Sequence, residues 1–282
     1  MEGIMMKNAD FILKSNAIFN GYATYPQKGY VVVKDKLISY VGNDKDALNE
    51  YMGEKTKLID VGNKLVMPGF HDAHLHFYMS GLYETSLVKV SFTDTSEQEC
   101  VDGLAEIADQ IPKDRWLIGA GWWHSMWDEP ILPTKRSLDA VYPDRPVCMI
   151  AGDAHTMWFN SAGLKKLGLN DEVKDPKGGF YGRLENGELS GTVHETAAMA
   201  LFPQIYSFPE KEEMDFFKSF LKKLNHYGIT SVCDMAMTAV PGADFIKEDI
   251  YEKLLENDEL TVRVSVYPTL QKDLSRPHNM MK

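Results

Sequence analysis

Apolar and polar positions alternate along the first part of this 282-residue chain, up to residue 67. The alternation is clearest in three runs, FILKSNAIFNG, GYVVVKDKLISYVG and KTKLIDVGNKLVM, which Gly, Asn and Asp interrupt. Successive side chains on a β-strand point to opposite faces of a sheet, so this pattern indicates half-buried strands joined by hairpins. It predicts a small sheet over residues 1–67, although the runs alone would suit many folds.

Helical spacing and buried strands are mixed in the middle of the chain. Ser96 and Glu99 stand at capping-box spacing before an apolar stripe, which predicts a helix. The runs RWLIGAGWWHSMW and RPVCMIAGDAHTMWFN read as buried strands, and the first runs into an aromatic loop. Thr192 and Glu195 also have capping-box spacing, and we interpret them as the start of an Ala-rich helix.

From residue 207 onward, helices and strands alternate with short connections. The segment SFPEKEEMDFFKSFLKKLNHYG has Ser207 and Glu210 at capping-box spacing, an apolar face, and Gly228 placed to end a helix. The strand ITSVCDM, the helix DFIKEDIYEKLLEND and the strand LTVRVSVYP follow. Such an order is typical of an α/β protein with a parallel sheet.

One stretch, LVMPGFHDAHLHF at residues 65–77, carries a specific chemistry. Phe70 to Phe77 is predicted to be a buried strand, on which His74 and His76 point to the same face. Two neighbouring imidazoles can hold a divalent ion, most plausibly Zn²⁺. Asp72 lies on the same face and could accept a ring N–H as a second-shell partner. Two ordinary strand histidines are the alternative, but the preceding Pro-Gly break and Asp72 favour a metal site.

Composition and charge limit the classes of binding partner. The formal net charge is −11, which argues against nucleic acid or an anionic membrane as the main partner. Cys100, Cys148 and Cys233 are far apart in apolar surroundings, which indicates reduced core residues and a cytoplasmic protein. No secretory signal pattern or run of about 18 apolar residues occurs in the sequence. We therefore expect a small-molecule substrate.

The sequence resembles a known family over about residue 8 to the end. PGFHDAHLH resembles the first-barrel-strand motif of the amidohydrolase superfamily, in which His-x-His supplies two metal ligands. WLIGAGWWHSMW, GDAHTMWFNSAGLKKLGL, GGFYGRLENGELSGTVHETA and YGITSVCDM closely resemble the YtcJ-like branch, amidohydrolase family 3. This resemblance is specific for the family and uninformative about the substrate.

The resemblance implies an α/β fold with a small N-terminal β-sandwich domain at residues 1–67 and a metal-dependent hydrolase barrel from residue 68 to 282. The barrel would be an incomplete (β/α)₈ barrel with a large α+β insertion after strand 1, at about residues 85–206. ITSVCDM and TVRVSVYP would be its second and third strands. His74 and His76 would bind one or two ions, whereas the catalytic Asp and further ligands would lie beyond Lys282. We therefore expect this chain to be a truncated form that is inactive alone.

Three further side chains are candidates for substrate contact. His155 stands at a predicted strand end, with a hydrogen-bonded structural histidine as the alternative. Trp123, together with Trp122, Trp127 and Trp158, could line an apolar pocket, or pack in the core of the insertion. Asp234 ends a predicted barrel strand at the catalytic rim, or caps the next helix.

The predicted function is metal-dependent hydrolysis of a non-peptide, amide-type C–N bond through a metal-activated water. One alternative is a non-catalytic binding or regulatory fragment, which would expose apolar strands and could form a homodimer. A metal-dependent deaminase is a second alternative.

Overall fold

The computed structural model describes residues 8–237 and 244–269. The chain divides into two compact units between Phe70 and His71. The strands are β1 (Phe11–Ile18), β2 (Gln27–Lys34), β3 (Leu37–Gly42), β4 (Lys57–Asp60), β5 (Leu65–Val66), β6 (Phe70–Leu75), β7 (Val88–Val90), β8 (Leu117–Trp122), β9 (Val147–Ala151), β10 (Thr156–Phe159), β11 (Gly179–Arg183), β12 (Leu189–Glu195), β13 (Ile229–Met235) and β14 (Arg263–Tyr267). The α-helices are α1 (Lys45–Asn49), α2 (Phe77–Leu82), α3 (Glu97–Gly103), α4 (Ala105–Ala108), α5 (Lys135–Val141), α6 (Ser161–Lys166), α7 (Thr196–Met199), α8 (Phe202–Ile205), α9 (Glu210–His226) and α10 (Glu248–Glu256). Of the helices in these described ranges, none has the length and apolar character needed to cross a membrane.

The N-terminal unit is built on a mixed sheet. Strand β1 pairs antiparallel with β2 and parallel with β4 and β5, and β3 joins the free edge of β2. Ile12 and Val32 are paired across the sheet, and Leu48 of α1 packs on them. Residues 8–66 therefore form one sheet with a helix against it, and the second layer of the predicted β-sandwich is not among them.

The larger unit contains a six-stranded sheet within its described residues, in the order β11-β12-β10-β9-β8-β7. Strands β7, β8 and β9 are mutually parallel, whereas β10, β12 and β11 continue the sheet in antiparallel pairs. This sheet occupies the range that the sequence assigns to the insertion. Because β7, β8 and β9 run in one direction, their carboxyl ends meet at one edge of the sheet.

The capping predictions had different outcomes. The Ser96 hydroxyl accepts the backbone N–H of Glu99 at 3.2 Å and begins α3, as the spacing predicts. The capping box predicted at Thr192 and Glu195 is wrong, since both residues belong to β12, where backbone pairing with β10 takes precedence. The Ala-rich helix predicted after them is present as α7, which begins at Thr196. Helix α9 begins at Glu210 after Pro209, so Ser207 does not cap it.

A three-stranded sheet in the described part of this unit has the order β14-β13-β6. Strands β13 and β14 are parallel and are connected through α10. His71 contacts Ser231 near the start of β6 and β13. His76, just after β6, contacts Met235, the last residue of β13, so these two strands also run in the same direction. The three strands thus present their carboxyl ends on one side.

The segment that carries His74 and His76 differs from its predicted form. Strand β6 ends at Leu75 and most of its side chains are exposed or partly exposed, whereas a buried strand to Phe77 was predicted. Among the described residues, β6 is the edge strand of its sheet. One of its edges pairs with β13, and no described strand pairs with the other. Phe77 instead begins α2 and packs against Phe217, Phe220 and Tyr251 at ring-centroid distances of 4.8, 5.0 and 5.5 Å.

A buried asparagine joins the six-stranded sheet to its helices. The Asn160 side-chain oxygen accepts the backbone N–H groups of Val147 at 3.0 Å and Gly163 at 2.8 Å. Its amide nitrogen donates to the carbonyls of Tyr142 at 2.7 Å and Arg145 at 2.8 Å. Asn160 is fully buried, so its side chain satisfies these four backbone groups inside the protein.

We predict that Asn160→Ala lowers the free energy of unfolding by about 3 kcal/mol or more, because it leaves several buried backbone groups without a partner. Urea denaturation followed by circular dichroism measures the change. The exposed Asn257→Ala is the matched control and should alter stability by less than about 1 kcal/mol. Equal changes in the free energy of unfolding for the two substitutions would contradict a stabilising role of the Asn160 hydrogen bonds.

Candidate metal and substrate site

His74 and His76 come together at the carboxyl end of β6. Their ring centroids are 5.2 Å apart and the rings are nearly perpendicular, at 87°. His74 lies on the strand, and His76 is the residue that precedes α2. At this separation both rings can turn a nitrogen toward one ion, since two Zn–N bonds of about 2.1 Å place the nitrogens no more than about 4.2 Å apart.

The tautomer of His76 follows from its partner. His76 Nδ1 lies 2.9 Å from the carbonyl oxygen of Met235, at the end of β13. A carbonyl oxygen only accepts, so Nδ1 carries the proton and donates it. In the neutral ring the lone pair is therefore on Nε2, which is the state that a metal-binding histidine requires.

Asp72 has a different partner from the one predicted. Its Oδ1 accepts the backbone N–H of His74 at 3.1 Å, two residues further along the strand. The bond braces the backbone at His74, whereas we predicted acceptance of a ring N–H. The short aspartate side chain reaches the nearby main chain before it reaches a ring.

Asp234 is buried below the histidines and is only 2 % exposed. Its Oδ1 accepts the backbone N–H of Phe77 at 2.9 Å, and its Oδ2 accepts the hydroxyl proton of Tyr251 at 2.8 Å. Removal from water raises the pKa of the Asp234 carboxyl to about 6, although both hydrogen bonds act in the opposite direction. Asp234 thus holds the start of α2. Its side chain is buried here, whereas the predicted contact with substrate needs an accessible side chain.

The other two predicted substrate contacts flank the turn between β9 and β10. A Cβ on Gly152 would collide with the indole of Trp123, so the ring of Trp123 lies directly on this turn. Trp123 is 40% exposed, whereas Trp122, Trp127 and Trp158 are buried in the core of the six-stranded sheet. Among the four tryptophans, Trp123 therefore remains the candidate for substrate contact.

His155 ends the same turn and pairs with a carboxylate. Its Nδ1 lies 2.9 Å from Oε2 of Glu195, and its backbone N–H is accepted by Asp153 at 2.8 Å. Glu195 has a positive φ of 57°, a conformation that is strained for a residue with a side chain. The next ring, His194, is buried and stacked on Phe180, and burial lowers the pKa of His194. Glu195 stands at the N-cap position of α7, but its carboxylate makes no capping hydrogen bond and lies against the His155 ring instead.

A cavity of about 230 Å³ opens beside His76. Met79 and Ser80 of α2 and Tyr83, the residue after this helix, line one side. Met237, which follows β13, also lines the cavity. The opposite wall comes from the ends of β7, β8 and β9, with Phe92, Ala120, Gly121, Ala151, Gly152 and Ala154. The cavity therefore lies where the carboxyl ends of strands from two sheets face each other.

The donor set accounts for part of a metal site. Residues 8–237 and 244–269 contain no group of three or more His, Cys, Asp or Glu arranged to hold a metal ion. His74 and His76 supply two nitrogen donors, whereas a catalytic zinc site takes three protein ligands and a water. His74 and His76 thus fit two of the three protein ligands of such a zinc site.

A family model described as "Amidohydrolase family" matches residues 57–282, which is most of the chain. The chain belongs to the amidohydrolase family. Among curated amidohydrolase relatives, the putative amidohydrolase YtcJ of Bacillus subtilis (strain 168) is 32% identical over 167 residues, covering 59% of this chain and 31% of that protein. The N-substituted formamide deformylase of Arthrobacter pascens is 27% identical over 228 residues, covering 79% of this chain and 42% of that protein.

The fold is similar to a crystal structure of an uncharacterized metal-dependent hydrolase from Pyrococcus furiosus. The TM-score is 0.67 at 21% identity, and the match covers 96% of this chain and 52% of the other. The likeness confirms a mixed α/β amidohydrolase fold. This amidohydrolase chain spans about half the length of that solved structure and less than half of the two curated relatives.

The amidohydrolase motif led to His74 and His76 from the sequence, but not to the groups that hold them. Tyr251 and the Met235 carbonyl have no local sequence signal, because one lies within an ordinary amphipathic helix and the other is a backbone atom. Asp234 was found as a strand-end aspartate. Its true partners, Phe77 and Tyr251, could only be known from the packing.

The buried carboxyl predicts a measurable dependence of stability on pH. A carboxyl whose pKa is raised on folding, here from 3.8 to about 6, favours the folded state below pH 4 and loses that contribution as the pH rises to about 6. In Asp234→Asn the side-chain oxygen still accepts the Phe77 N–H, and no charge is buried. We expect the variant to gain up to about 3 kcal/mol relative to wild type between pH 4 and pH 7.

Urea denaturation at pH 4, 5, 6 and 7 measures this gain. Asp128→Asn, at an exposed aspartate, is the control and should follow the wild-type pH curve. Parallel curves for wild type and Asp234→Asn would contradict the assignment.

Proposed function

We propose that the protein acts as a metal-dependent hydrolase of a non-peptide C–N bond of the amide type, with His74 and His76 holding a divalent ion, most plausibly Zn²⁺. The observation that carries the proposal is the His76 ring, whose Nδ1–H is donated to Met235 so that Nε2 is available as a ligand. His74 stands beside it at 5.2 Å. The name of the A. pascens relative, an N-substituted formamide deformylase, supports an amide substrate.

We further propose that β6, β13 and β14 are the first three strands of a (β/α)₈ barrel, with the six-stranded sheet inserted between the first two. Their parallel order and the helix between β13 and β14 support this arrangement. In such barrels the active site lies at the carboxyl ends of the strands. His74 and His76 stand at that end of β6.

Each residue of the site then has a defined task. A divalent ion held at such histidines supplies an acidified water and polarises the scissile carbonyl. Met235 fixes the rotation of the His76 ring, and Asp72 fixes the backbone at His74. Asp234 holds the N–H of Phe77, so the turn from β6 into α2 cannot rotate freely. The cavity beside His76 would receive the substrate.

We expect residues 1–282 alone to hydrolyse amides inefficiently. Within the described ranges two protein ligands are present, and a catalytic zinc takes three. An ion held by two histidines binds more weakly and is less well oriented than one held by three ligands. Metal-dependent turnover by this chain at rates usual for enzymes, about 1 s⁻¹ or more, would contradict this expectation.

The metal assignment is tested by zinc binding. We predict that the chain binds Zn²⁺ and that His74→Ala or His76→Ala weakens binding by at least about tenfold, because each removes one of two donors. Competition with a chromogenic chelator measures the affinity. His226→Ala is the control, since His226 is exposed at the end of α9, and it should leave the affinity unchanged. Unchanged affinity in both site variants would reject the assignment.

A further inference from the structure

We infer that the cavity beside His76 is a specificity pocket for an apolar substrate substituent about the size of one substituted ring. The inference rests on the proposed function, since it assigns to the cavity the group attached to the scissile amide. Its first support is position. Ligands of parallel α/β sheets bind beyond the carboxyl ends of the strands, and here the ends of β7, β8 and β9 form one wall.

The second support is the chemistry of the lining. The cavity-lining residues, all within the described ranges, include no charged carboxylate, lysine or arginine. Tyr83 contributes its ring, while its hydroxyl lies 3.2 Å from that of Tyr206, and burial raises the pKa of Tyr83 to about 12. A neutral and mainly apolar wall favours a neutral apolar group, because a charged group would lose its hydration without gaining a partner.

The third support is that small residues create the space. Ala120, Gly121, Ala151, Gly152 and Ala154 form the sheet side of the cavity. Gly121 has a φ of 105° and a Cβ there would meet the Ser91 carbonyl, and a Cβ on Gly152 would meet the Trp123 indole. These two glycines therefore admit close packing of the neighbouring groups, and the three alanines leave the cavity side of the wall open. The strand pairing between β8 and β9 is also irregular at this point. The opening is thus a built feature of the strand ends.

The volume indicates the size of the occupant. A buried apolar cavity of about 150 Å³ is sufficient to bind benzene. The cavity here measures about 230 Å³ and so has room for a ring with a short connecting chain. His76 lies in its wall, which would place the amide carbonyl near the histidine pair and the ring against Met79 and Ala154. We therefore expect the pocket to favour amides that carry an aromatic substituent over small or charged ones.

A second cavity, of about 330 Å³, is a poorer candidate. It contains Glu213 and Lys247, which already pair with each other at 3.0 Å. Glu213 also accepts the hydroxyl proton of Tyr78 at 2.7 Å. These charges are therefore satisfied within the protein, and His74 and His76 do not line that cavity.

The inference is tested by ligand binding to the 282-residue chain in the presence of EDTA, so that no metal is needed. We expect N-benzylacetamide to bind at least about tenfold more tightly than N-methylacetamide, since each methylene in an apolar pocket contributes about tenfold or more. N-acetylglycine should bind more weakly than N-benzylacetamide because of its carboxylate. Ligand-detected NMR titration measures all three dissociation constants.

Two variants locate the binding. Ala154→Leu fills the cavity and should weaken N-benzylacetamide binding at least about tenfold. Ala154 has a positive φ of 58°, so the matched control is Asp258→Leu, at an exposed position with a φ of 56°, which should leave binding unchanged. Phe92→Ala removes an exposed ring from the wall with little risk to folding and should weaken binding several-fold. Circular dichroism checks that each variant is folded.

The outcomes separate this inference from the proposed function. Equal binding of the benzyl and methyl amides, or benzyl binding that survives both pocket variants, would overturn the pocket assignment even if His74 and His76 bind zinc. Benzyl-selective binding that Ala154→Leu abolishes would support the pocket. If zinc affinity were then unchanged in His74→Ala and His76→Ala, the proposed metal site would be rejected, and the assignment of the cavity as an apolar binding pocket would be kept.

Discussion

Two consecutive acceptors at the end of β13 hold the chain where the histidine strand turns into a helix. Asp234 accepts the Phe77 backbone N–H, and the Met235 carbonyl accepts the ring N–H of His76. Together they fix the direction of the main chain and the rotation of a ring at one point. A shift of one residue between β6 and β13 would turn every side chain of the shifted strand to the other face and would break both bonds.

This arrangement places a carboxyl in an aromatic core. Phe77 and Tyr251 pack together at 5.5 Å, and the same two residues donate the hydrogen bonds to Asp234. Desolvation raises the pKa of the carboxyl, so the two donors only partly offset the loss of water. Burying the Asp234 carboxyl lowers stability, and in return its hydrogen bond fixes the position of the main chain where β6 ends. This position matters here because His76 immediately precedes Phe77, whose backbone N–H Asp234 accepts.

Local patterns predicted those features that depend on neighbouring residues. The pairing of His74 and His76 follows from strand alternation, and Ser96 caps α3 because its partner is three residues away. The same spacing failed at Thr192 and Glu195, where β10 and β12 pair over some 38 positions of sequence. The exposure of β6 could not be predicted either, since it depends on which strand lies at its other edge.

The six-stranded and three-stranded sheets in the described part of the larger unit contribute different parts of the site. The bonds that orient His74 and His76 come from β6, β13 and α10, whereas the sheet side of the cavity comes from β7, β8 and β9. A substitution at Ala154 therefore changes the shape of the cavity without touching a residue that orients the histidines. In a protein built this way, the segment between β6 and β13 can change which substituent is accepted while the geometry of the histidine pair is kept.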